Sequence, residues 1–141
     1  MNTLRFFPIT RRKVLHSAFL LDEKNDAELI KLDQLLRNRN LRDEIVENLI
    51  ANGQGNNMVL KIRFLTAVND FEKVDTCDRL EKQGKKQKII EIFLSKRSKF
   101  YIKTSLQVES NATIECQFQM LRKHILMELY DHAIINKFIS K

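Results

Sequence analysis

Apolar residues recur along this chain at helical spacing, and the breaks between such stretches are short and polar. A first stretch runs from about Val14 to Leu21, and a second from Ala27 to Leu36, carried by Leu29, Ile30, Leu32, Leu35 and Leu36. "RNRN" (37–40) reads as a turn in which Asn40 caps the helix that follows. That helix, "LRDEIVENLIA", sets Leu41, Ile45, Leu49 and Ile50 on one face, with Asp43 and Glu44 near its N-terminus. "NGQGNN" (52–57) is the clearest break and predicts a loop. From Met58 to Val74 apolar positions occupy two strips, Met58-Ile62-Leu65 and Leu60-Phe64-Ala67-Val68-Phe71, which predicts a helix central to a bundle.

Downstream, "DTCDRLEKQGKK" reads as a connection or a weak short helix. Lys85 to Ser95 reads as a helix with Ile89, Ile92 and Phe93 facing inward. Phe100 and Ile102 anchor an extended crossing, and Thr104 to Gln107 fits a capping box opening a short helix through Val108. The last helix is expected from about Thr113 or Gln117 to Lys137, again two-sided, through Phe118, Leu121, Ile125 and Leu129 and through Leu126, Tyr130, Ile134 and Phe138. The pattern therefore predicts an all-α bundle of about eight or nine helices, two of them long and central.

Composition supports this class. In 141 residues there are 3 Gly and 1 Pro, too few for a sandwich that turns every ~8–12 residues, while 43% apolar content is enough for a core. The N-terminus starts like a secretion signal, but Arg11, Arg12 and Lys13 interrupt it, and its apolar run contains His16 and Ser17. Cys77 and Cys116 lack metal-site or disulfide-framework spacing. These features predict a reduced, cytoplasmic, soluble protein. The formal net charge is +7, concentrated in "EKQGKKQK" (81–88) and "SKRSK" (95–99). Lys85, Lys86, Lys88, Lys96, Arg97 and Lys99 thus form a candidate basic patch, read as a solvated face or one that meets an acidic membrane or protein partner. With no nucleic-acid motif alongside it, no nucleic-acid partner is expected.

Catalytic signals are few. His124, Glu128 and His132 are spaced i, i+4, i+8, one stripe on a continuous helix, but the sequence has no HExxH pair. A surface ion pair is the simpler reading of such spacing. Nucleophile elbows, phosphate loops and paired carboxylates with a flanking base are not found, so neither an enzyme, a metal nor a cofactor is expected.

Four segments, in order, resemble those of the RGS domain, the regulator of G-protein signalling family. "FLTAVNDFEKV" (64–74) is similar to that family's central-helix signature, and "LLRNRNLRDEIVENLI" (35–50) to its Leu-Leu turn and following helix. "KIIEIFLS" (88–95) with "YIK" (101–103) resembles its helix and extended step, and "ILMELYDHAIINKFISK" (125–141) its closing segment. The resemblance implies an all-α, RGS-type bundle of about nine helices in two subdomains over residues 28–141. Residues 1–27 would be a lead-in segment, irregular plus helix, and the whole a piece of a larger polypeptide. It further implies a monomeric, cytoplasmic and membrane-peripheral module that binds a Gα subunit in its GTP or transition-state form and so dampens G-protein signalling.

Family contacts carried over by position fall on Leu60 and Lys61 before the central helix, with Asn56 or Asn57 as substitutes from the loop. They fall also on Lys103 in the extended step, and on Leu129, Ala133, Ile134 and Lys137 near the end. Where the family has an amide that props the water-orienting glutamine of Gα, Lys103 has an ammonium, which donates but cannot accept. Ala133 and Ile134 replace an Asp and a Ser, removing bonds of roughly 1.5–3 kcal/mol each. Gα binding with weak or lost GTPase acceleration is the resulting expectation. The alternative is a basic helical adaptor for acidic lipid, nucleic acid or another protein domain.

Overall fold

A computed structural model describes Leu21 and residues 26–53, 55–102 and 113–140. Among these residues the chain is all-α, with no strand. Six α-helices occur: α1 Ala27–Arg37, α2 Arg39–Ala51, α3 Gly55–Lys73, α4 Arg79–Ile89, α5 Ile114–Tyr130 and α6 Ala133–Ile139. α4 continues into a π-helical turn, Ile90–Leu94. The helix expected near Val14, the side chain of Lys103 and the capping box at Thr104 lie outside the described residues.

Local chemistry sets the helix ends. Asn38, rather than Asn40, caps α2: its side-chain oxygen accepts from the backbone N–H groups of Asn40 and Leu41 at 3.0 and 3.2 Å. The cap lies two residues earlier than expected, which removes Asp43 and Glu44 from the first turn. α2 closes at Asn52, and Gly53 takes φ 73°, a left-handed conformation that glycine adopts without steric cost. α3 then starts at Gly55, so the last three residues of "NGQGNN", expected as loop, are helical.

Asp78 caps α4 through the Glu81 N–H at 3.2 Å, and the stretch expected to be a connection or weak helix is helical from Arg79. Gly84 sits inside this helix on its exposed side, with open space where a Cβ would stand. Gly84→Ala is therefore expected to raise the unfolding free energy by about 0.5–1 kcal/mol. The check is a higher urea midpoint with an unchanged slope.

Contacts between helices fix their directions. Lys61 at the start of α3 meets Glu128 near the end of α5, while Asn69 and Glu72 near the end of α3 meet Arg122 and Gln119 early in α5. These two long helices are thus antiparallel. α1 also opposes α5, through Asp33 to Arg122 and Glu28 to Tyr130. α4 opposes α3: Lys82 lies 4.9 Å above the Phe71 ring and Phe93 stacks edge-on against Phe64 at 5.6 Å. α2 packs against α1, α3 and α6.

The core is one apolar cluster, with Phe64, Phe118, Ile125, Leu126 and Leu129 fully enclosed. Phe93, Phe64, Phe118 and Phe71 form a zigzag of T-shaped pairs through its middle, each worth about 0.5–1.5 kcal/mol beyond area burial. α3 and α5 are the central elements, as their two-sided apolar patterns predict. Of the four apolar positions expected on one face of α2, Ile45 and Leu49 reach the core, whereas Leu41 and Ile50 are exposed.

Candidate functional site

Three segments meet at one end of the bundle. Because α3 and α5 are antiparallel, the start of α3 lies beside the α5–α6 corner. Because α4 opposes α3, the chain leaving the π turn arrives at that same end. There Ile102 N–H donates to the Phe93 carbonyl at 2.9 Å, and Phe93 touches Phe64. This end therefore gathers Gly53 and the first turns of α3, the turn from Ser95 to Ile102, and the residues around Asp131.

The α5–α6 corner is a break where the sequence pattern predicts one continuous helix to Lys137. α5 stops at Tyr130, and His132 caps α6 through Nδ1, which accepts from the Ile134 N–H at 3.3 Å. The Asn136 side-chain amide donates to the Tyr130 carbonyl at 2.8 Å and holds the bend. His132 thus leaves the His124–Glu128 stripe. Among the described residues no cluster of His, Cys, Asp and Glu could hold a metal.

The residues singled out from the sequence divide between surface and interior. Asn57, Ala133 and Lys137 are exposed, Ile134 and Leu60 are half-buried against the core, and Asn56 lies in the first turn of α3. Leu129 is fully enclosed. Lys61 turns inward: its side chain is 4% exposed and its Nζ lies 3.2 Å from Glu128 Oε2. Lys61 and Leu129, expected as contacts, thus lie in the interior. An ammonium on the apolar strip of a central helix needs a counter-charge, and Glu128, one helical step from Ile125 and Leu129, supplies it. His124 Nε2 stands 3.5 Å from the other oxygen of Glu128.

Ala133, Asn136, Lys137 and Ser140 line a shallow hollow of about 490 Å³ on α6. It is open to solvent, and Lys137 is the one cation among the described residues that line it.

The basic patch is also less uniform than its sequence. Lys86 pairs with Glu115 at 2.9 Å, and that hydrogen bond, opposed in part by burial, holds the Glu115 carboxyl below its usual range. Lys85 is half-buried, while Lys88, Lys96, Arg97 and Lys99 are exposed. Ile92, expected to face inward, is exposed instead: the wider π turn keeps Ile89 and Phe93 in the core and rotates Ile92 out. Phe100 is likewise exposed, leaving Ile102 as the anchor of the crossing.

Sequence reasoning missed a buried polar network farther along the α3–α5 interface, toward the start of α5. Arg122 donates to Glu72 at 2.9 and 3.1 Å and to Asn69 at 2.7 Å, and lies 3.5 Å from Asp33, which also accepts from Arg37 at 3.0 Å. Its signal was available: Arg122 follows Leu121 within a run of core positions, so its charge had to be matched inside.

Comparisons with known protein families, with curated proteins and with solved structures return no match for this chain.

Proposed function

We propose that this chain is an RGS-type interaction module, with that family's nine-helix, two-subdomain arrangement, which docks on an activated Gα subunit and accelerates GTP hydrolysis weakly or not at all. The observation that supports the reading is the meeting of three segments at one end of the bundle. The resemblance marks the loop before the central helix, the extended step after "FLS" and the closing segment as the parts that grip Gα. In this chain the first turns of α3, the approach to Lys103 and the α5–α6 corner share one end, tied by Lys61–Glu128 and Phe64–Phe93.

The side chains available at that end suit adhesion better than catalytic assistance. Ala133, Ile134 and Leu60 offer apolar area and Lys137 offers charge. Asn57 brings an exposed amide to that end, but where the resemblance places the contact to the water-orienting glutamine the sequence has Lys103, which donates and cannot accept. Stabilisation of the switch regions in their transition-state shape would lose its directional contacts, while burial of apolar surface would remain. No described helix is long and apolar enough to cross a membrane, and a cytoplasmic, membrane-peripheral location belongs to the same proposal.

The test is capture of Gα subunits loaded with GDP or with GDP and AlF4⁻, beside single-turnover GTP hydrolysis. Selective capture of the AlF4⁻ form with less than about tenfold acceleration, roughly 1.4 kcal/mol off the barrier, is the expected result. Lys103→Asn combined with Ala133→Asp and Ile134→Ser is expected to raise that acceleration. Equal capture of both nucleotide states, or of neither, overturns the reading.

A further inference from the structure

The turn that follows the π segment has no role inside the fold that explains its surface. Ile92 and Phe100 are 39% and 45% exposed, and Lys96, Arg97 and Lys99 stand in solvent between them. Those three cations make no ion pair among the described residues, and no acid occurs from Ile92 to Ile102. Lys88, also exposed, lies one turn before Ile92.

Two devices hold the apolar pair outward. The π turn rotates Ile92 away from the core. The Ser98 hydroxyl then donates to the Ile92 carbonyl at 2.6 Å and accepts from the Phe100 N–H at 3.1 Å, joining the two backbones through one oxygen. Backbone bonds Ser98 to Ser95 and Tyr101 to Ser98, at 3.0 and 3.2 Å, tighten the turn beneath it. The result is a preformed knob with two apolar side chains and a collar of cations.

We propose that this knob binds an anionic lipid bilayer, with Phe100 and Ile92 entering the interface and Lys96, Arg97 and Lys99 against the headgroups. Charge complementarity favours an anionic surface, and the aliphatic Ile92 favours a bilayer over nucleic acid, since it has no face on which a base can stack. The proposal does not depend on Gα binding, because it rests on the turn alone.

The chain contains no tryptophan, so Phe100→Trp places a single fluorescent probe at the knob. With vesicles of phosphatidylcholine and phosphatidylserine, its emission is expected to shift to the blue; with phosphatidylcholine alone, to stay unchanged. In sedimentation, the unmodified chain is expected to follow the anionic vesicles. Lys96→Gln with Arg97→Gln and Lys99→Gln is expected to weaken that partition by roughly a hundredfold, at about 1 kcal/mol for each cation near the surface. Phe100→Ser should weaken it too, with the helical circular dichroism of both variants unchanged. Failure to partition at low salt, partition without a blue shift, or tighter binding to a single-stranded oligonucleotide in the same buffer would each overturn the proposal.

Discussion

Phe64→Ala is expected to lower the unfolding free energy by about 3–5 kcal/mol, the upper range for an apolar truncation. Phe64 is fully enclosed and sits between two rings, Phe93 on the α4 side and Phe118 on the α5 side. Truncation opens a cavity where three helices meet and breaks two T-shaped contacts at once. Those neighbours are themselves anchored, Phe93 by the π turn and Phe118 by Phe71, so the void cannot close by a small shift. Phe100→Ala, by contrast, should change stability by less than about 0.5 kcal/mol because its ring is half in solvent. Thermal unfolding of the two variants gives the comparison, at a few degrees per kcal/mol for a domain of this size. Equal midpoints would mean that the ring zigzag is not the centre of the core.

The helical class and the central position of α3 and α5 were legible because both helices carry apolar residues on two strips. Periodicity needs no partner to be read. What it could not reveal is where the phase changes. The π turn after α4 turns Ile92 out while Ile89 and Phe93 stay inward as expected, yet "IEIFL" is as compatible with a regular helix as with a wide turn. The break after Tyr130 is similar. "LYDHAI" contains no Gly or Pro, and only the cap made by His132 and the amide of Asn136 marks the corner.

Charges inside helices were misread for a related reason. Glu128 reads from its own helix as half of a surface ion pair and Lys61 as a surface contact, and nothing in the pattern of their own helices singles out Arg122 or Asp33. Their partners lie on other helices, and the pairings depend on the antiparallel register of α3 and α5. The candidate site shared this fate. Its surface members, Asn57, Ala133 and Lys137, came through as exposed, whereas Lys61 and Leu129 turned out to support the fold beneath them. The Lys61–Glu128 pair lies beneath this end, so a change at Glu128 would alter both the packing of α3 on α5 and the corner beyond it.

Arg122→Met should cost about 3–5 kcal/mol, although the two side chains are similar in length and methionine suits a core. Removing the guanidinium leaves Asp33 buried with only Arg37 beside it, deprives Asn69 of its donor and leaves Glu72 with Gln119 alone. Arg122→Lys is not expected to rescue the loss, since one ammonium lacks the planar fork that reaches Glu72 and Asn69 together. The network is also imperfect as it stands: Asp33 Oδ1 and Arg122 Nε are enclosed without a hydrogen-bond partner among the described residues. A fully apolar replacement should therefore recover much of the loss. Arg122→Met with Asp33→Leu is expected to be more stable than Arg122→Met alone, despite the additional substitution, because it no longer encloses an uncompensated carboxylate. Glu72, one-third exposed, can turn to water and to Arg37, which already lies 4.0 Å away. Urea unfolding of the single and double variants decides the matter. A double variant less stable than the single one would show that the network does more than cancel its own desolvation.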